Sequence, residues 1–309
     1  MTDPHAGAPA AGRRPSPFRR AARLRGYLFA LPALVIFGVF FYYALGFNVY
    51  LSLSSWNLLS PERHYVGFAN YRALLMSPRF HRTLWNTALY TAGSTLGSMT
   101  IGLALALALR RVTRLARLVQ GALFAPYVIS WVSVALLWLW LLDPQYGLVD
   151  AAFVRLGLPA VNWLGAEGTA LWSLVLLTIW KTVGYDMVTC LGGLQAIPAE
   201  VYESAALDGA GPGVQVFRIT LPLLGPTVFF LLVTSVIFSF EAFDIVNIMT
   251  QGGPIHSATY LFVYFIYAVG FQYFQIGQAA AASVLLFLIL LILTALEFQF
   301  LQRRVHYAA

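Results

Sequence analysis

L-Q-A-I-P-A-E-V-Y-E-S-A-A-L-D-G-A-G-P-G-V-Q-V-F-R-I-T-L-P, residues Leu194 to Pro222, joins two long apolar runs at about 169–192 and 223–243. It is not an ordinary polar loop. Pro198 precedes a helix-forming run, Ala199 to Leu207, in which Glu200 and Glu203 come early, where a helix dipole favours acidic groups. Gly209, Gly211, Pro212 and Gly213 then stop the helix. Ser204, Ala205 and Ala206 carry small side chains, so another backbone could come close. From these residues alone the segment is either a plain re-entry loop or a short docking helix closed by a tight turn.

The apolar runs on either side belong to a larger set. Of 309 residues, 60% are hydrophobic and only 10% are charged, with a mean hydropathy of +0.74. Soluble domains carry about a quarter charged residues, so lipid must solvate much of this surface. Runs at about 27–53, 83–109, 118–142, 169–192, 223–243 and 279–301 can each cross a core that needs about 20 helical residues. The first is too long for a signal-peptide core and lacks a small-residue cleavage site, so it reads as an uncleaved span. These runs predict an all-α membrane protein with about six transmembrane helices.

Basic residues set the orientation. The net charge is +7, yet the charges flank apolar runs instead of forming a face, which argues against a nucleic-acid partner. Residues 1–25 hold six arginines and read as a disordered cytoplasmic tail. Arg110, Arg111, Arg114, Arg117, Arg218, Arg303 and Arg304 fall on the same side, making thirteen. Arg63, Arg72, Arg79, Arg82 and Arg155 make five on the other. Both termini are therefore expected in the cytoplasm, with Leu194–Pro222 facing it too. The aromatic stretch Ala258 to Phe271 has fourteen residues, short for a span, and reads as an external interfacial or re-entrant helix.

Several chemistries are unsupported. Lys181 is the one lysine, and residues 176–182, L-L-T-I-W-K-T, have no glycines to shape a phosphate loop, so no Walker A site is expected. His5, His64, His81, His256 and His306 are scattered without ligand spacing, and no metal site is expected. Cys190 alone cannot form an internal disulfide and reads as helix packing. Nothing resembles a nucleophile elbow or a catalytic carboxylate pair. A secondary transporter or channel is the rival class, but it leads one to expect an internal repeat, and it leaves the docking segment unexplained. Lys181, near the middle of the fourth span, should face protein or a wet cavity, with Glu241 and Asp244 as candidate partners.

The segment Glu203-Ser204-Ala205, then Asp208-Gly209, nine residues, Ile219, Thr220 and Leu221-Pro222 resembles the EAA motif of ABC importer permeases. Ser204 stands where that pattern has an alanine, and serine is also small. Phe47 to Trp56, Val66 to Tyr71, Ala125-Pro126-Tyr127, Asn162 to Gly165 and Thr250 to Pro254 resemble the carbohydrate-type permeases, the group holding the maltose and sn-glycerol-3-phosphate permeases. Asp208 to Pro212 and Phe298 to Tyr307 lean towards the glycerol-phosphate branch. The resemblance implies a permease domain over 26–304 in the bacterial inner membrane, with 305–309 as a cytoplasmic end. It implies that 194–222 is a cytoplasmic coupling segment seated on an ATPase subunit through Glu203, Ser204, Ala205, Ala206, Asp208, Gly209, Ile219, Leu221 and Pro222. It further implies a second homologous permease, two ABC ATPase subunits that hold ATP and Mg, and an extracytoplasmic binding protein. The solute would be a carbohydrate or a glycerol phosphate. A substrate cavity would be lined from the fourth and fifth spans by Thr178, Trp180, Thr182, Tyr185, Ser235, Phe238 and Ser239, and Lys181 is expected there to meet polyol hydroxyls or a phosphate.

Overall fold

A computed structural model describes residues 29–111, 113–253 and 257–301. The basic tail at 1–25, the chain end at 305–309, and Pro254, Arg303 and Arg304 lie outside the described residues. The chain divides into two compact units between Tyr50 and Leu51. Helix α1, Phe29–Ser52, occupies the described part of the first unit and has a mean hydropathy of 2.0. A π-helical stretch, Gly38–Tyr43, interrupts its regular winding.

The second unit begins with a short antiparallel ribbon, β1 (Ser54–Ser55) and β2 (His64–Tyr65), followed by α2 (Ala69–Leu75). Asn70, from the Val66–Tyr71 stretch, donates to the carbonyls of Ser52 (2.8 Å) and Ser54 (2.9 Å), which holds α2 against the ribbon. Helix α3, Pro78–Ala108, starts five residues before the span expected at 83–109. The cause is local: Ser77 caps the amide of Phe80, and Pro78 suits the first helical position. Its partner is α7, Glu167–Gln195.

The run expected to be one span at 118–142 is broken. Helices α4 (Arg114–Val128) and α5 (Trp131–Leu141) meet at 101°. Pro126 removes one amide donor near the end of α4, and Ile129 and Ser130 take extended backbone, with ψ of 143° and 148°. Ser130 then caps α5 through the amide of Ser133, at 3.2 Å. After α6 (Leu148–Arg155) and α7 come α8 (Ala199–Leu207), α9 (Pro212–Leu223) and α10 (Gly225–Phe240). Helices α9 and α10 meet at 63°, so the fifth expected span, 223–243, is the second arm of a bent pair. A π-turn at Val216–Thr220 precedes the bend.

Among the described residues, four helices are long and apolar enough to cross a membrane, or six when each bent pair counts as one span. Helices α11 (Asp244–Met249) and α12 (Phe262–Gln272) lie between α10 and the last span, α13 (Ile276–Leu301). Helix α12 is shorter than a span, and one side of it packs into the protein. Phe262, Tyr264, Phe265 and Ala268 are buried, and Phe80 of α3 meets the rings of Phe262 and Phe265 at 5.7 and 5.6 Å. Aromatic packing thus holds α12 against α3.

Candidate functional site

Helix α3 carries a stripe of hydroxyls, Thr83, Thr87, Tyr90, Ser94 and Ser98, all buried. In an apolar setting each needs an internal partner. Thr83, Thr87 and Ser94 donate to carbonyls one turn back, at 2.9, 2.8 and 2.6 Å. Others bond across helices. Tyr90 and Thr178 share a bond of 2.8 Å, Ser98 and Thr182 one of 2.9 Å, and Ser94 and Ser239 one of 3.3 Å. The stripe therefore ties α3 to α7 and α10 while keeping polar atoms along one surface.

That surface walls a cavity of about 450 Å³ between α3, the α4–α5 break, α7, α10 and residues 241–245. Thr178, Lys181, Thr182, Tyr185, Ser235, Phe238 and Ser239 all line it. Trp180 does not. It sits on another face of α7, edge-on to Trp138 of α5 at 5.4 Å, because a neighbouring position on a helix points about 100° away. Tyr185 stacks on Tyr127 with ring centroids 4.6 Å apart and planes 14° apart, forming a flat aromatic face in the wall. Asp186 is 1% exposed and accepts from Ser98.

Glu241 and Asp244 were candidate partners for Lys181. Among the described residues it forms an ion pair with neither. Its ammonium donates to the carbonyls of Pro126 (2.9 Å), Tyr127 (3.2 Å) and Ile129, and lies 4.9 Å from the Trp131 ring. A helix end leaves its last carbonyls without partners inside the helix. Lys181 supplies those missing donors from a neighbouring helix. The approach is close because α4 crosses α7 at Gly184, where a Cβ would overlap the Leu123 carbonyl.

Sequence reading did not assign Tyr90, Ser94, Ser98, Tyr127 or the 129–131 turn to the cavity. The α3 hydroxyls were detectable as a polar stripe at helical spacing in an apolar run. The turn carried a weaker signal, Pro126 followed by Ser130. Among the described residues no group of three or more His, Cys, Asp or Glu is placed to hold a metal ion.

Between the cavity-lining helices α7 and α10 in chain order, α8 ends in a complete Schellman turn. Ala210 N–H bonds the Ala205 carbonyl at 2.9 Å and Gly209 N–H that of Ala206 at 3.1 Å, with Gly209 at φ +80°. No residue of α8 is buried: Glu203, Ser204, Ala206 and Asp208 are exposed and Ala205 is partly covered. Tyr202 holds the helix to Thr220 at 3.1 Å, and Gln215 bonds the Ala210 carbonyl at 3.0 Å. Ile219 and Leu221 are half-buried in α9, and Pro222 is exposed just before the bend.

Residues 98–307 match the family described as the binding-protein-dependent transport system inner membrane component. The chain belongs to that family. It is 34% identical over 284 residues to the sn-glycerol-3-phosphate transport system permease protein UgpA of Yersinia pestis, covering 91% of this chain and 95% of the relative. It is 35% identical over 230 residues to the probable ABC transporter permease protein PH1215 of Pyrococcus horikoshii, covering 74% and 78%. A bacterial alginate ABC transporter, solved with an alginate pentasaccharide-bound periplasmic protein, contains a chain that superposes with a TM-score of 0.81 at 26% identity, covering 94% of this chain and 98% of that one. The permease is thus an all-α inner-membrane component of an ABC import system. The family match includes both the cavity wall from Ser98 onward and the whole of α8.

Proposed function

We propose that this permease carries a sugar or glycerol-phosphate-type solute across the bacterial cytoplasmic membrane through the cavity beside α7. The observation that carries this reading is the cavity itself: about 450 Å³ of space lined by hydroxyls and an aromatic face, inside a unit whose other surfaces are largely apolar. Hydroxyls meet the polar edge of a polyol, and a ring face meets its C–H surface. The names of the relatives point to solutes of the same broad kind.

In this reading the exposed helix α8 is the coupling helix. Glu203, Ser204, Ala205, Ala206, Asp208 and Gly209 form its contact with an ATPase subunit, and Ile219, Leu221 and Pro222 carry its movement into α10 through the bend. Two ATPase subunits bind ATP and Mg, a second homologous permease closes the cavity, and an extracytoplasmic protein delivers the solute. The arginine distribution supports a cytoplasmic position for α8 and both termini. The test is reconstitution with the co-encoded subunits. Uptake into proteoliposomes should need internal ATP and the external binding protein, and uptake by this chain alone, without ATP, would falsify the proposal.

A further inference from the structure

We infer that the cavity is built for an uncharged, hydroxyl-rich solute and excludes the phosphate ester of the same molecule. The inference rests on the cavity being the solute path, and it narrows the solute class. Lys181 is the one cationic side chain among the described residues that line the cavity. An ammonium has three donors and no acceptor. All three are directed at carbonyls, those of Pro126, Tyr127 and Ile129. No donor of Lys181 remains for a phosphate oxygen, and turning the ammonium towards one would leave carbonyls of the α4 end unbonded.

The other charged groups in the wall have the opposite sign. Asp186, Glu241 and Asp244 all face the cavity, and among the described residues none is in an ion pair. One cation already bonded to the backbone therefore stands against three carboxylates. A phosphate ester carries about −1.5 to −2 charges near neutral pH and would meet like charge on this wall. A neutral polyol meets the reverse situation. Carboxylates only accept hydrogen bonds and its hydroxyls donate them. The Tyr127–Tyr185 stack offers a flat face to its C–H groups. Ser235 and Ser239, four positions apart on α10, offer hydroxyls from one helix face.

The experiment is thermal unfolding of the purified complete importer with matched pairs at equal millimolar concentration. The pairs are glycerol with glycerol 3-phosphate and glucose with glucose 6-phosphate, with maltose as a further neutral probe. Each is repeated on Tyr185→Ala, and only the part of a shift lost in that variant counts, which removes general osmolyte stabilisation and binding to ATPase subunits. Should Tyr185→Ala fail to assemble, Ser235→Leu, which fills the same space from α10, takes its place. The expected result is a rise in midpoint with at least one neutral probe and none with either ester. An ester shift equal to or above that of its neutral partner, and lost in the variant, overturns the inference while leaving the cavity as the solute path. Absence of any cavity-dependent shift overturns the inference together with the cavity reading.

Discussion

The Nζ atom of Lys181 lies 2.9 Å from the carbonyl oxygen of Pro126, fifty-five positions earlier in the chain. That bond, with those to Tyr127 and Ile129, makes a side chain of one helix the cap of another. It explains how a 101° break is held inside an apolar unit. It also gives the lysine a task that charge pairing would not.

Lys181→Met removes all three donors and leaves the end of α4 unsatisfied. A hydrogen bond to a charged group contributes about 1.5–3 kcal/mol, so the yield of assembled complex and its unfolding midpoint should both fall. Lys181→Arg keeps donors and charge in a planar fork and should fall between the Met variant and the wild type. Size-exclusion profiles and melting curves on the same preparations check this. A Met variant that assembles and melts like the wild type would remove the capping role.

Gly184→Ala tests the helix crossing that brings the lysine into reach. The added Cβ would overlap the Leu123 carbonyl, a backbone atom that no rotamer change can move aside. Overpacking of this kind costs about 1–3 kcal/mol. Gly192→Ala, eight positions on in the same helix, meets nothing within 4 Å and should be neutral or stabilising, since alanine is the better helix former. The melting midpoint should fall for Gly184→Ala and hold or rise for Gly192→Ala.

Gly209→Val addresses coupling. At φ +80° a β-branched residue is strained, and the Schellman turn that closes α8 should open. Solute binding to the external protein should be unchanged, while stimulated ATP hydrolysis by the complex should drop to near its basal rate. A stably assembled variant with normal stimulation would separate the turn from coupling.

Two neighbouring aromatic residues on α7 should behave differently. Tyr185→Ala removes one ring of the stack in the cavity wall, and uptake should fall by about tenfold, the scale of one aromatic contact of about 1.5 kcal/mol. Trp180→Phe keeps an aromatic surface against Trp138, away from the cavity, and should leave uptake near the wild-type rate. Equal losses in both would place the solute elsewhere on α7.

Hydropathy and local propensity alone determined the all-α membrane class, the approximate apolar runs, and the small-residue helix Ala199–Leu207 with its glycine stop. These features depend on composition over about twenty residues or on a single turn, so they need no knowledge of neighbours. Whether Glu200 and Glu203 begin a docking helix or a plain loop was settled neither by propensity nor by exposure; the fixed spacing from Glu203 to Pro222 carried that reading. Tertiary structure alone decided which side of α7 faces the cavity, since Trp180 and Lys181 are adjacent in sequence yet meet different neighbours. It also decided that 118–142 is two helices: an apolar run looks unbroken to any hydropathy window, and the break persists because a lysine from a distant helix satisfies the carbonyls it exposes. In the same way, the aromatic stretch Ala258 to Phe271 gives no hint that Phe80 packs against Phe262 and Phe265. Hydrogen-bond satisfaction and ring packing depend on which helices meet, and the linear order of residues leaves that unspecified.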